Sequence, residues 1–331
     1  MWRLSSATGA IPIGHGSARS ALAGWSSEVR IKKSCRTEKI IPLDSLTAVP
    51  HTSAPTGTGT ICEAHVKISL VQMNSQSDKS ANIAQAEKLV AEAVTEKPDL
   101  VVLPEYWAML GDQPAEFHAS AETFPDGEAY RALQGMAKRH GVTIHGGSMV
   151  EKSGNSFFNT TVVFDPEGEE IARYRKIHLF DVDLPDGISH RESATIAPGR
   201  DLVTYECAGH KVGCAICYDL RFPELFRALR DQDVDVIVLP AAFTLMTGKD
   251  HWEVLSRARA IETQTHFVAV GQTGTHAGGK KACFGHSMLI NPWGHVVAQV
   301  GDFVGVAAGV VNDDYTRQVR TNVPVHLHHV L

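Results

Sequence analysis

A cysteine and a glutamate, far apart in this chain, each sit where an apolar run gives way to polar residues, and a lysine lies on one face of an alternating stretch. The cysteine is Cys217, in Lys211-Val-Gly-Cys-Ala-Ile-Cys-Tyr-Asp-Leu-Arg-Phe-Pro-Glu224. Ala215-Ile216 reads as the end of a buried strand, and Phe222-Pro-Glu-Leu-Phe as the first turn of a helix. In open α/β sheets, ligands bind outside the carboxyl ends of the strands. A thiol held there can meet a substrate, and the backbone N–H groups after it can stabilise negative charge. Free cysteine is also commonly a small buried hydrophobe, so the local pattern leaves a structural Cys217 open. Glu105 follows Leu100 to Leu103, a run that fits a strand buried on both faces. A carboxylate beside such a run is costly to bury unless it is paired or its pKa is raised; the alternative is a solvated turn residue. Lys176 follows the turn Asp165-Pro-Glu-Gly168 in a period-2 stretch, on one face with Tyr174 and His178. An ordinary surface lysine is the alternative there.

The elements that must position these residues are legible from periodicity. Strands are expected at Val66–Gln72, Leu100–Leu103, Val142–Gly147, Thr160–Asp165, Ile171–His178, Lys211–Cys217, Val234–Pro240 and His266–Gln272. Ile83, Ala86, Leu89, Val90 and Ala93 form a helical stripe within Ser80–Glu96, and Ala129–His140 is a helix ended by Gly141. Ser287–Asn291 and Val296–Val300 flank Pro292-Trp-Gly294 as a hairpin. On a further helix, Trp252, Leu255, Ala258 and Ile261 are expected to face the core, with Glu253 and Arg257 as an i, i+4 pair. Strands separated by helices imply an α/β sandwich, in one domain over residues 66–331, with no internal repeat.

Taken together, Leu-Pro-Glu105-Tyr, Tyr-Arg-Lys176-Ile-His-Leu-Phe-Asp and Ile-Cys217-Tyr-Asp-Leu-Arg-Phe-Pro-Glu resemble, in order and context, the Glu-Lys-Cys triad of the nitrilase superfamily of carbon–nitrogen hydrolases. The likeness runs from about Val66 to Leu331. Thr247-Gly-Lys-Asp-His-Trp-Glu-Val-Leu-Ser-Arg-Ala-Arg-Ala-Ile-Glu-Thr-Gln264 and Phe284-Gly-His-Ser-Met-Leu-Ile-Asn-Pro-Trp-Gly294 resemble the branch that acts on deaminated glutathione. The resemblance implies a four-layer αββα sandwich that assembles as a homodimer or larger homo-oligomer. It implies a thiol amidohydrolase, using no cofactor and no metal. The thiolate of Cys217 would attack the carbonyl to form an acyl-thioester, and Glu105 would accept the proton, pass it to the leaving group and then activate water. Lys176, with the backbone N–H of Tyr218, would stabilise the oxyanion. Glu151, in Gly146-Gly-Ser-Met-Val-Glu151, is expected to orient Lys176 and help position substrate, although an ordinary turn residue fits there too. Asn159 is expected as a structural hydrogen-bonder. Arg221 is a candidate for holding a substrate carboxylate; structural pairing with Asp219 or Glu224 is the alternative.

The substrate implied is a small carboxylic-acid amide cleaved at its terminal amide, deaminated glutathione first, with α-ketoglutaramate or α-ketosuccinamate as the ω-amidase alternative. Nitriles fit less well, because Cys217-Tyr-Asp-Leu-Arg differs from the Cys-Trp-Glu context of nitrilases. The chain departs from the branch at Ala241-Ala242-Phe243, which lacks a serine, and at His326-Leu-His-His329. A second class of function, an idle relative that binds or scaffolds, would be favoured by loss of a triad member; all three are present.

Composition limits the rest. Hydrophobic residues make up 43% and charged residues 21%, ordinary for a globular enzyme. A net charge of −6 argues against nucleic acid as a partner. No apolar run approaches the ~18 residues a membrane helix needs. The six cysteines suit a reducing compartment. Cys214 and Cys217, three apart, would point to opposite faces of a strand and make a poor dithiol or chelate. Residues 1–65 carry seven Lys/Arg against four Asp/Glu, with Ser, Gly and Ala abundant. They read as a disordered or transit-like extension. The expected location is cytoplasmic, or mitochondrial if residues 1–30 act as a transit peptide.

Overall fold

The computed structural model describes residues 65–111, 113–183 and 189–330. The expected extension over residues 1–65, apart from its last residue, lies outside the described residues. The strands are β1 (Val66–Gln72), β2 (Leu100–Val102), β3 (Thr143–His145), β4 (Met149–Ser153), β5 (Ser156–Phe164), β6 (Glu170–Arg175), β7 (Asp181–Asp183), β8 (Ser189–Arg191), β9 (Thr204–Cys207), β10 (His210–Cys214), β11 (Val236–Ala241), β12 (His266–Gly271), β13 (Thr273–His276), β14 (Lys281–Phe284), β15 (Met288–Ile290), β16 (Val296–Gln299) and β17 (Gly305–Val311). The α-helices are α1 (Lys79–Ala93), α2 (Pro114–Ser120), α3 (Glu128–His140), α4 (Pro223–Arg230), the single turn α5 (Leu245–Thr247), α6 (Glu253–Thr263) and α7 (Asp313–Asn322).

Two sheets carry the fold. One has the order β17-β1-β2-β3-β5-β4, with β6 also on β5; the other has the order β16-β15-β12-β11-β10-β9. Each contains three parallel strands, β1-β2-β3 in one and β10-β11-β12 in the other, extended by antiparallel neighbours. The parallel strands are apolar on both faces, as sheets covered on both sides require. Ile68, Leu70, Leu100 and Val102 of the first sheet join one core with Val212, Val236 and Val238 of the second. The alternate side chains Val71, Val101 and Leu103 turn the other way and pack with Ala86, Leu89 and Val90 of α1 and Leu133 and Met136 of α3. Phe226 of α4 meets Phe267 of β12, so α4 and α6 cover the second sheet. The result is the expected αββα sandwich.

Local chemistry fixes the helix ends. Asp78 accepts from the Ala81 N–H at the start of α1. Gly141 takes φ +60° just after α3, where a side chain would be strained. Two sequence expectations need correction. The strand expected over Ile171–His178 is β6 and stops at Arg175. On α6, Trp252 is buried beside its start but Ile261 is 49% exposed. At 100° per residue a three-residue spacing falls ~60° short of a full turn each time, so three steps carry Ile261 to the face opposite Trp252. The inward positions are Ser256, Arg259, Ala260 and Thr263.

Candidate active site

The carboxyl ends of the two parallel triplets converge, with Met73 beyond β1 bridging Gln272 beyond β12. Glu105 stands just past β2, and Cys217 just past β10. Both lie where the backbone turns sharply: Cys217 has φ +48°, and Tyr106, next to Glu105, has φ +54°. A left-handed conformation at a non-glycine residue costs roughly 1–3 kcal/mol and persists only where its surroundings enforce it. Asp219 supplies that enforcement at Cys217. Its buried carboxylate accepts from the Ile216 N–H (2.8 Å), the Tyr174 hydroxyl (2.7 Å) and the His178 N–H (3.0 Å), and lies 2.7 Å from His178 Nδ1. This ties the turn Cys217–Arg221 to the residues on either side of Lys176. From the other side, the buried Arg259 of α6 donates from Nε and an Nη to the Leu220 carbonyl (3.0 and 2.9 Å).

Lys176, one residue beyond β6, stays on the Tyr174 side of the strand, as the alternation requires. Its backbone N–H donates to the Asn159 carbonyl (2.9 Å). Its ammonium donates to Glu105 Oε1 (3.0 Å) and to both oxygens of Glu192 (2.9 and 3.1 Å). The second Glu105 oxygen accepts from the Ala242 N–H at 2.7 Å, and Asn159 Nδ2 donates to Glu105 Oε1 at 2.8 Å. Because Ala242 contributes a backbone group, its departure from the expected serine motif leaves this contact in place.

Burial alone would discharge Lys176; Glu105 and Glu192 outweigh it and hold the ammonium charged well above the usual lysine range. Burial likewise opposes ionisation of Glu192, and Lys176 together with the Phe180 N–H (2.7 Å) overcomes it, holding the carboxyl below its usual range. The Cys217 thiol is pushed well up, first by burial and then by the Glu105 carboxylate, with Lys176 opposing. The resting site is therefore a neutral thiol beside a carboxylate that can take its proton.

Sequence reasoning missed Glu192 and gave its place to Glu151. The Glu151 carboxylate does not reach Lys176. Both its oxygens take Arg175 (2.6 and 2.8 Å), and one takes the Thr160 hydroxyl (2.8 Å), on the opposite face of β6. Glu192 sits in a short 3₁₀ turn after β8 with no apolar periodicity around it, and its hydrogen bonds join residues distant in sequence. Tyr106 also donates to it, at 3.0 Å.

Glu105, Lys176, Glu192 and Cys217 open onto one cavity of about 740 Å³. Tyr106, Leu110, Phe117 and Ile196 form an apolar part of its wall. Arg221 and Tyr218 are not among the lining residues. Tyr218 packs edge-on against Phe180, which is, and the Arg221 guanidinium lies 3.4 Å from His251 Nδ1 and stacks over the Tyr218 and Phe243 rings. Arg221 thus braces neighbouring residues, and the carboxylate-binding expectation for it is corrected.

Four layers around an enclosed thiol, carboxylate and lysine define an αββα hydrolase. A carbon–nitrogen hydrolase family model matches residues 67–321. A deaminated glutathione amidase of Synechocystis sp. is 41% identical over 265 residues, 78% of this chain and 96% of the relative. The omega-amidase NIT2 of Danio rerio is 36% identical over 78% of this chain and 92% of its own. Saccharomyces cerevisiae Nit3, a member of branch 10 of the nitrilase superfamily, superposes with a TM-score of 0.72 at 28% identity, over 79% of this chain and 95% of its own. The chain belongs to the carbon–nitrogen hydrolase family of the nitrilase superfamily, and is a hydrolase of carbon–nitrogen bonds other than peptide bonds.

Proposed function

We propose that this enzyme is a thiol amidase that cleaves deaminated glutathione. One observation carries the mechanism: Cys217, Glu105 and Lys176 share a cavity in which the thiol is neutral and the lysine charged. When an amide carbonyl enters, the Cys217 proton moves to Glu105 as Sγ attacks the carbonyl carbon. The oxyanion is stabilised by the Lys176 ammonium; Tyr218, expected to share this role, lies outside the cavity wall. Collapse transfers the proton from Glu105 to the departing amine and leaves a thioester. Water attacks next, giving its proton to Glu105, and the carboxylic acid departs as the thiol is restored. Glu192 keeps Lys176 charged through both steps. Asn159 Nδ2 donates to both carboxylates and bridges them (2.8 Å to Glu105, 3.3 Å to Glu192).

The substrate reading is supported by the 41% relative and by the size of the cavity. The two candidate substrates differ in the bond broken, and the expected terminal amide is found only in the second. In deaminated glutathione, the amide joins the γ-carbonyl to cysteinylglycine, so the leaving amine is a dipeptide. In α-ketoglutaramate the amide is terminal and ammonia leaves. A cavity of about 740 Å³ lies in the range for ligands of drug size and has room for the dipeptide. The purified enzyme and its Cys217→Ala variant should be assayed for 2-oxoglutarate release from deaminated glutathione and ammonia release from α-ketoglutaramate. Faster turnover of deaminated glutathione, lost in the variant, is expected. Preference for α-ketoglutaramate would move the assignment to ω-amidase, and activity retained by Cys217→Ala would refute the mechanism. We also propose a homodimer through the outer face of α6, where Val254 and Ile261 are exposed and Ile261 lies against Gly294, next to the exposed Trp293. A monomeric mass in solution would refute it.

A further inference from the structure

We infer that Gln272, the residue after β12, is a positioning residue for Glu105, and that it sets the catalytic base against a nucleophile carried by the other sheet. The inference rests on the amidase reading, in which Glu105 takes the Cys217 proton. Glu105 follows β2 of one sheet, and Cys217 follows β10 of the other. A proton passes directly between two such groups only within hydrogen-bond reach, about 2.6–3.2 Å between heavy atoms. The ends of the two sheets must therefore be fixed on each other to a similar tolerance. The second sheet holds Glu105 at two points. At the carboxylate, the Ala242 N–H beyond β11 donates to Oε2 (2.7 Å). At the backbone, Gln272 Nε2 donates to the Glu105 carbonyl (3.0 Å). The Gln272 N–H in turn donates to the Ala241 carbonyl (2.9 Å), so the two grips come from adjoining strand ends.

The buried Gln272 amide uses both N–H groups and its oxygen. Oε1 accepts from the Ser75 N–H (2.9 Å), and Nε2 donates to Ser75 Oγ (2.9 Å) as well as to Glu105. A backbone N–H can only donate, which fixes the end of the amide that faces Glu105 as the nitrogen. Ser75 Oγ passes its own proton to the Trp107 carbonyl (2.7 Å). One network thus captures the carbonyls on both sides of Tyr106, while Ser148 Oγ takes the Tyr106 N–H (3.1 Å). Tyr106 is left-handed, a conformation that persists only where the surroundings enforce it, and it turns the chain directly after the base. Neither Gln272 nor Ser75 lines the cavity, so their effect reaches the chemistry through Glu105.

Gln72 supplies the comparison that separates positioning from support. It is a second buried glutamine at a strand end, the last residue of β1, and its side chain also reaches residues of the second sheet's side. Its Oε1 accepts from the Ser287 N–H (2.8 Å) and Oγ (2.9 Å), and its Nε2 donates to the carbonyls of Gly301 (2.7 Å) and Phe303 (2.8 Å). None of these bonds involves Glu105. Gln272→Met and Gln72→Met therefore remove comparable buried networks, one with the base attached and one without.

Both variants should unfold at lower urea than wild type. In Gln272→Met, kcat on deaminated glutathione should fall about 100-fold with KM little changed, the scale of a catalytic group misplaced by about 1 Å. Alkylation of Cys217 by iodoacetamide should slow with it, because the thiol loses the alignment of its base. Gln72→Met should keep kcat and the alkylation rate within a few-fold of wild type. Equal kinetic losses in the two variants, or an undiminished kcat in Gln272→Met, overturn the positioning role. If Gln272→Met does not fold, Ser75→Ala decides, since it frees the Trp107 carbonyl and one N–H of the same amide. A slower kcat and slower alkylation in that variant support the role, and wild-type values overturn it. Alkylation needs no substrate, so the comparison stands even if wild type leaves deaminated glutathione untouched and the substrate reading fails. Glu105→Gln sets the scale for a lost base. Should it alkylate at the wild-type rate, the mechanism is what fails, and with no base to align the role of Gln272 falls too.

Discussion

Arg175 and Lys176 are neighbours in the chain, and each sends a cation to a buried glutamate, yet the two clusters they build are of different kinds. On one face of β6, Arg175 meets Glu151 with two hydrogen bonds, its guanidinium stacked 3.9 Å over Phe158, and Thr160 fills a remaining acceptor position. Arg173 lies 3.7 Å from the same carboxylate. Arg173 is itself held by Glu170 (2.7 and 2.9 Å), so two cations match two anions there, and none of the four lines the cavity that holds Cys217. On the other face, Lys176 is shared by Glu105 and Glu192, so carboxylates outnumber the cation, and a protonated thiol stands beside them. A saturated ion pair stabilises position. An oversubscribed one, opened to a cavity, can take up and release a proton. Burial and charge do not separate the two clusters; stoichiometry and access do.

The sharpest way to break this comparison is to remove each cation. Lys176→Met should lower kcat at least about 10³-fold, since it deletes the oxyanion donor and leaves two buried carboxylates repelling each other. Arg175→Met should keep kcat within about 10-fold and instead lower stability by about 2 kcal/mol, a buried-pair loss discounted because Arg175 is 34% exposed. Steady-state kinetics beside urea unfolding checks both. Equal kinetic losses would show that the two clusters work as one.

Removing the carboxylates is the next test. Glu192→Gln should cost about 100-fold in kcat, because Lys176 then has only Glu105 to hold its charge and the base is drawn into a tighter pair. Glu151→Gln should leave kcat within a few-fold and reduce stability. If Glu151→Gln were the more damaging to turnover, the sequence-based assignment of that residue to Lys176 would be restored.

That assignment marks how far the sequence could be read. Glu105 and Cys217 stood out because each follows an apolar run, and a period of two distinguishes Lys176 from Arg175 by face. The six strands of the parallel triplets and the two long helices were legible from hydrophobic periodicity, Val66–Gln72 to the residue, whereas β4, β9 and β17 were not read. Glu192 was not, because a 3₁₀ turn has no hydrophobic period and its partners Tyr106, Asn159, Lys176 and Phe180 come together only in the folded chain. The π turn at Gly248 was equally hidden. The helical spacing read from Trp252 onward gives no sign of the π turn Gly248–Trp252, and only the approach of Phe284 explains the glycine.

Asp219 joins the two ends of the active turn and gives an intermediate effect. Asp219→Asn keeps the volume but offers the Ile216 N–H, the Tyr174 hydroxyl and His178 one oxygen acceptor in place of two. The left-handed Cys217 should then relax, with kcat falling about 10-fold and KM little changed. Alkylation of Cys217 by iodoacetamide should change in rate as well, a readout that lost stability alone would not move. An unaltered alkylation rate would mean that Asp219 supports the fold and leaves the thiol where it was.

The smallest effects separate stability from chemistry along the pH axis. Burial depresses His145 to about 3 and His266 to about 4, so both are neutral in the folded protein. In the unfolded chain, histidine protonates near 6.5. Below that pH the unfolded state binds more protons, and each histidine removes up to about 1.4 kcal/mol of stability per pH unit until its folded value is reached. Glu151, held below the usual carboxylate range by Arg175 and Thr160 against the cost of burial, acts later with the same sign. Its contribution is complete at neutral pH and fades as pH falls below about 4.5. Glu192 also lies below its usual range and stays ionised through the histidine window, so the Glu192–Lys176 pair keeps its charges there. Urea midpoints should therefore drop between pH 6.5 and 5 while initial rates measured on still-folded enzyme lose no more than about 2-fold. His145→Asn, which cannot titrate, should flatten that drop. A rate that fell in step with stability would place a titrating group of the catalytic cluster inside the same window, and the two faces of β6 would no longer be separable by acid.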